Sequence, residues 1–185
     1  MEFNAVIKAR KSVRKFKTTK PNWKDIIEAI DWASKIPYAG GIHNVKFILI
    51  DNKKKINDIG DYCQQDFVSK AHYVVAVVSD LKDLTASYEE RGEKYALEQG
   101  GAAVNQFLLK LVDLGLDACW VGSFDDEQLK RLLKIPEKTI IHAVVPIGYS
   151  LDDSKRKRRP NIDRILRFND YKETNMNPKK RPEAF

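Results

Sequence analysis

The sequence predicts an α+β fold in which helices pack on a central sheet. Three observations carry this reading. Apolar runs of strand length, rich in branched residues, recur along the chain. A long helical pattern runs from Tyr88 to Leu114. The tight glycine fingerprint that opens a nucleotide-binding βαβ unit is absent.

Taken in order, Glu2 to Arg10 reads as a short helix, with Phe3, Val6 and Ile7 at helical spacing. Lys11-Ser12-Val13-Arg14-Lys15-Phe16 alternates polar and apolar residues and suits an extended segment. Asn22 is a candidate N-cap for a helix to about Ile36, whose apolar stripe is Ile26, Ile27, Ala29, Ile30, Ala33 and Ile36. Pro37 to Gly41 is a loop. Val45–Ile50 is a nearly unbroken apolar run, expected to be a strand buried on both faces. A helix from Lys54 to about Cys63 turns Ile56 and Ile59 inward, and Tyr73–Val78 is a second buried strand.

The pattern from Tyr88 to Leu114 is the longest helix and contains Gly100-Gly101, ended by Gly115 at the C′ position. Two adjacent helical glycines cost about 1 kcal/mol each relative to alanine. Something must therefore approach that backbone closely: another helix, a second subunit or a flat ligand. Ala118–Gly122 is a short third strand, and Asp125 and Asp126 open a helix through Leu129, Leu132 and Leu133 that stops near Pro136. Thr139–Gly148 is the fourth strand, and beyond Tyr149 the chain is polar and basic.

The 185 residues suit one domain of ordinary size, and 43% hydrophobic with 32% charged residues excludes collagen-like, low-complexity and wholly disordered classes. No apolar run reaches the roughly 18 residues of a membrane span, and the N-terminus lacks a secretory signal, so a soluble protein is expected. Cys63 and Cys119 form no disulfide framework and read as plain buried thiols, which suits a reducing cytoplasm. His43, His72 and His142 show no metal-ligand spacing, so no metal is expected. The net charge of +7 is uneven: residues 1–20 and 151–185 are basic, while the body between them is slightly acidic. Such ends suggest an anionic partner, whether nucleic acid, an anionic membrane or a phosphorylated small molecule; solvated tails are the plain alternative.

No nucleophile elbow, P-loop or zinc-protease motif occurs, and no acid/base pair is identifiable. Such a chain is either a binding module or a protein whose cofactor carries the chemistry. Three segments offer more. In Arg10-Lys11-Ser12-Val13-Arg14, extended geometry places Ser12 and Arg14 on one face, with two guanidiniums flanking a hydroxyl, a set suited to a phosphate and a polar ring edge. In Trp120-Val121-Gly122-Ser123-Phe124, Gly122 lets backbone N–H groups approach a planar ligand. Arg156-Lys157-Arg158-Arg159-Pro160 could clamp a phosphate or serve as a nucleic-acid arm, although no stacking aromatics interleave it.

These segments, with the loop before Val45, Asn105, the run from Gly115 to Gly122, and Val145-Pro146-Ile147-Gly148-Tyr149, occur in the order seen in the FMN-dependent nitroreductase family, which the chain resembles over most of residues 5–165. The resemblance implies a mostly antiparallel central sheet flanked by helices, with an extended C-terminal tail. It implies a homodimer with two FMN molecules at the subunit interface and NADH or NADPH as hydride donor. Residues 1–150 would be a single FMN-binding domain, and 151–185 a basic extension that completes the FMN site and wraps the partner subunit.

By match of motif, Arg10 would bind the phosphate, with Lys11 in the same segment; Ser12 and Arg14 would contact the flavin. Val121, Gly122 and Ser123 would cover one flavin face, and Arg156 and Arg158 would join the phosphate. In the loop, Gly41 stands where the family usually has Asn, and His43 where it has Gln. His43 could still hydrogen-bond the flavin. A cation near N1 favours reduced flavin. The expected activity is therefore ping-pong reduction of a nitroaromatic, quinone or similar small-molecule acceptor, with no side chain doing the chemistry. Nucleic-acid and membrane partners are not expected. A non-catalytic FMN-binding protein is the alternative. Dehalogenating or flavin-consuming relatives rank lower, because the candidate lid Asp80–Glu93 is short.

Overall fold

The computed structural model describes residues 1–151 and 161–174. Arg156 and Arg158 lie outside the described residues, as does most of the basic extension. The chain divides into two compact units, Met1–Asp153 and Ser154–Phe185. In the second, the described residues include one 3-10 turn, Ile162–Arg164, whose Asn161 cap accepts a hydrogen bond from Asp163 N.

In the first unit the elements run α1 (Phe3–Ala9), α2 (Trp23–Ala33), a 3-10 turn (Ala39–Gly41), β1 (Val45–Ile50), α3 (Lys53–Cys63), α4 (Asp66–Ser69), β2 (Tyr73–Asp80), α5 (Lys82–Tyr88), α6 (Glu90–Asp113), β3 (Asp117–Ala118), α7 (Asp126–Leu133) and β4 (Thr139–Gly148). The strands form an antiparallel sheet in the order β1-β2-β4-β3. The α+β class with a central antiparallel sheet flanked by helices is therefore the observed architecture.

Side-chain alternation divides the core between the two faces of the sheet. Val75, Val77, Ala143 and Val145 pack with Ile26, Ala29, Ala33, Phe107 and Leu111 of α2 and α6. Val74, Ala76 and Val144 pack with Ile56, Ile59, Val68 and Leu129 of α3, α4 and α7. The cap expected from sequence closes α2, where Asn22 Oδ1 accepts from Lys24 N; at α7 Asp125, expected as the first helical residue, is itself the cap, its Oδ1 accepting from Gln128 N.

Four expectations need correction. β1 is an edge strand with β2 as its neighbour, so Val45, Phe47, Ile48 and Leu49 are only half-buried and Lys46 is exposed; an apolar run does not reveal how many neighbours a strand has. The longest helix starts at Glu90 rather than Tyr88, because Glu89 takes φ 49° and breaks it from α5. α2 ends at Ala33, before Ile36, and its Ile27 is 46% exposed. The third strand holds only Asp117–Ala118, with a separate bridge from Val121 to Val144.

The β2–β4 register shifts between Val77 and Val78, which pair with Ala143 and Ile141 and leave His142 as an extra residue. Its ring turns to α6, where an added Cβ at Gly100 would fall 2.4 Å from ring atoms, while one at Gly101 would meet nothing within 4 Å. The close approach expected at the glycine pair is thus supplied at Gly100 by the chain's own sheet. Gly101 faces away from it.

Candidate functional site

Residues Arg10 to Phe16 join the sheet as an added extended segment. Ser12 bridges Ala118 in parallel, Val13 N donates to Ala118 O at 3.0 Å, and Leu151 N donates to Lys15 O at 2.9 Å. Val13 is buried, and the Phe16 ring lies where a side chain on Gly148 would stand. Anchored in this way, alternation leaves Ser12 and Arg14 exposed on one side and half-buried Lys11 on the side of Val13.

Cys119, the residue after the bridge, draws the group together. Its thiol is buried, and burial pushes its pKa up; the Arg14 charge, the neighbouring Ser12 hydroxyl and the Arg10 charge pull the other way. Arg14 also stands over the Phe67 ring of α4, with Cζ 5.8 Å from the centroid. Arg10, Ser12 and Arg14 therefore lie around Cys119 at one corner of the sheet. Cys119 and Phe67 belong to that corner too. Sequence gave no sign of Phe67, and Cys119 reads as an inert core thiol until the pairing with Ser12 is known.

From Cys119 the chain continues along β4. Val121 exchanges two backbone hydrogen bonds with Val144, each 3.0 Å. Gly122 and Ser123 are exposed beyond it. A Cβ on Gly122 would have only Trp120 Nε1, at 3.9 Å, within 4 Å, so its backbone is open to a flat ligand. Trp120 Nε1 donates to His142 O at 3.3 Å, and Asp125 N ties the following turn to Tyr62 O at 3.0 Å.

This corner fits FMN by its donor set. It offers two guanidiniums and a hydroxyl for a phosphate and the polar ring edge, beside an unobstructed glycine backbone for the ring plane. Among the described residues, no group of three or more His, Cys, Asp or Glu could hold a metal ion, and no helix is long and apolar enough to cross a membrane.

Gly41 and His43 lie elsewhere. They precede β1, whose first residue Val45 pairs with Ser79, which in turn pairs with Ile140 at the start of β4. Ala118, beside Ser12, pairs with Ile147 at the other end of β4. The two groups are therefore about 20 Å apart along the strands and about 19 Å, four strand spacings, across them, because Ser12 lies one position beyond Ala118. One chain does not bring them to a single ligand.

The loop has its own order. Gly40 and Gly41 take φ 57° and 70°, and the exposed His43 ring packs on Tyr38 at 4.3 Å between centroids. Gln99, only 5% exposed, accepts from Ala39 N at 2.7 Å and donates to Asn44 Oδ1 at 2.5 Å. Asn44 in turn donates to Asp80 O at 3.3 Å. No local pattern marks Gln99, whose partners are 55 and 60 positions away.

Comparison with known proteins assigns this architecture. A sequence model of the nitroreductase family matches residues 7–71 and 60–149, and the chain belongs to that family. It is 25% identical over 183 residues to an iodotyrosine deiodinase of Thermotoga neapolitana, covering 89% of this chain and 96% of the relative. A crystal structure of a nitroreductase family protein from Clostridium novyi NT is 26% identical and superimposes with TM-score 0.76, covering 94% of this chain and 96% of that one. The NADPH:FMN oxidoreductase of Vibrio harveyi, complexed with NAD+, shares the fold at TM-score 0.84 and 18% identity, over 94% of this chain and 79% of its own.

Proposed function

We propose that this chain is an FMN-dependent oxidoreductase that takes hydride from NADH or NADPH and reduces a nitroaromatic, quinone or similar small acceptor in ping-pong fashion. The observation that carries this reading is the convergence of Arg10, Ser12 and Arg14 beside the open backbone of Gly122 and Ser123. Bound there, FMN supplies reversible two-electron hydride chemistry. Arg10 neutralises the phosphate, with Lys11 in the same segment adding to the positive field. Ser12 and Arg14 would hold the polar edge of the ring, where a cation would favour the reduced form. Val121, Gly122 and Ser123 would lie against the ring plane.

The reading includes a homodimer. Gly41 and His43 lie too far from Arg14 within one chain to share its flavin, so a second copy, related by a two-fold axis, contributes them. Two free, buried cysteines suit a reducing cytoplasm.

The test is direct. Purified protein should be yellow and release FMN on denaturation, and NADH or NADPH should bleach the bound flavin anaerobically, with colour returning on addition of a nitroaromatic or quinone. Colourless protein that neither retains nor binds added FMN overturns the proposal. Bound flavin that neither nicotinamide bleaches leaves a non-catalytic FMN-binding protein. The likeness to the Thermotoga deiodinase favours one further acceptor in the panel, an iodotyrosine, with iodide release as its readout.

A further inference from the structure

Between the 38–43 loop and α6 lies a pocket of about 440 Å³ whose lining includes Tyr38, Ala39, Tyr95, Glu98 and Gln99. It is separate from the arginine corner, and its walls are tied by side-chain contacts. Gln99 forms its floor and pins the loop to α6 through Ala39 N, as described above. Tyr95 is held edge-on to Tyr88, with ring centroids 5.1 Å apart at 90°. Tyr88 can lie there because residue 40 is glycine: a Cβ at that position would be 2.4 Å from the Tyr88 hydroxyl. Tyr38 is fixed from the other side by His43. Two tyrosine rings thus line a space that is ample for a single aromatic ring with substituents.

The charges around it are sorted. Glu98 is 3.9 Å from Lys94, which draws its carboxylate into an i,i+4 pair. Arg91 donates from Nη1 to Tyr95 Oη at 3.4 Å, which places an exposed guanidinium at the rim. Among the described residues it makes no ion pair within 4.0 Å. A planar fork beside an aromatic wall recognises a carboxylate or phenolate attached to a ring.

We infer that this pocket is the acceptor subsite for a planar aromatic compound bearing an acidic substituent, the ring seated between Tyr38 and Tyr95 and the anion on Arg91. The inference rests on the proposed function for its chemistry: the loop that carries Gly41 and His43 to the flavin of the second copy is the same loop that forms one wall of the pocket. Arg91 and Tyr95 are then specificity determinants, selecting aryl acids over uncharged arenes, and the reduction itself is unchanged in kind.

The experiment compares FMN-loaded wild type, Arg91→Gln, Tyr95→Phe and, as a control, Arg131→Gln, an exposed arginine on α7 paired with Glu127. The quantity read is the ratio of kcat/KM for 4-nitrobenzoate to that for nitrobenzene. The wild type should prefer the acid, and Arg91→Gln should lower the ratio about tenfold, chiefly through KM, as expected for loss of one charge-assisted hydrogen bond. Tyr95→Phe should lower it less, and Arg131→Gln should leave it unchanged. A ratio unmoved by Arg91→Gln, or lowered equally by Arg131→Gln, overturns the inference while leaving the flavin chemistry standing. Equilibrium dialysis of labelled 4-nitrobenzoate against the same proteins separates the two claims. Tenfold weaker binding to Arg91→Gln supports the subsite even in protein that fails to reduce its flavin, and equal binding refutes it.

Discussion

The His142 ring occupies the space that a side chain at Gly100 would need: a Cβ there would fall 2.4 Å from Cγ, Cδ2 and Cε1. The contact locks α6 onto the bulge in β4, and the ring has little freedom to retreat, because Nε2 is hydrogen-bonded to the buried Ser79 Oγ at 2.6 Å. Gly100→Ala should therefore destabilise the protein by about 1–3 kcal/mol through overpacking, despite a helix-propensity gain of about 1 kcal/mol. Urea unfolding of the two proteins checks it. Gly101→Ala, whose Cβ meets no atom of its own chain within 4 Å, should gain stability, and a loss there would report a second copy packed against α6.

The same histidine gives the fold a pH dependence. Burial lowers the His142 pKa from 6.5 to about 4. The unfolded chain therefore binds a proton between these values that the native state refuses. Stability attributable to His142 is complete above about pH 6.5 and declines as pH falls toward 4, by at most about 3 kcal/mol. Urea midpoints at pH 7 and pH 4.5 should differ more in the wild type than in His142→Gln. An equal difference in both proteins would remove His142 from the account.

Gln99 is the second internal clamp. Gln99→Leu keeps the volume near constant but leaves Ala39 N–H and the buried Asn44 Oδ1 without the partners they have now. We expect a loss of about 2–4 kcal/mol. Faster proteolytic nicking between Tyr38 and His43 than in the wild type should accompany it. Unchanged stability would show that the loop is held by other means.

At the arginine corner, Arg14→Ala removes the guanidinium above Phe67 and beside Cys119. Loss of a charge-assisted contact of about 1.5–3 kcal/mol should weaken FMN binding roughly 10–100-fold, read by quenching of flavin fluorescence on titration. Arg14→Lys should recover only part of it, since an ammonium lacks the planar fork. An unaltered FMN affinity in Arg14→Ala would take Arg14 out of the site.

Much of the fold was legible because its signals are local. The stripe of Ile26, Ala29 and Ala33 has helical period, Asn22 and Asp125 are capping residues immediately before helices, and the runs in β2 and β4 are too branched and too short for anything but buried strands. The reading of β1 failed where it needed a count of neighbours, and that of α6 failed at Glu89, whose positive φ has no compositional signal. At the site, the alternation of Ser12 and Arg14 about Val13 could be read directly. Their meeting with Cys119 could not, because it depends on a bridge between residues more than a hundred positions apart.

The sequence by itself thus determined most of the secondary elements, the two-sided hydrophobic pattern and the family, since each is written in residue type and near-neighbour spacing. Tertiary structure decided which of the singled-out residues share a corner. It placed Arg10, Ser12 and Arg14 with Cys119, and it set Gly41 and His43 four strand positions away at the opposite end of the sheet. It also brought Gln99 under Ala39 and Asn44, and Tyr95 beside Tyr38 at one pocket. The physical reason is common to all of these. Strand order and helix docking are fixed by burying both faces of the sheet at once, a global condition that no short stretch of residues encodes.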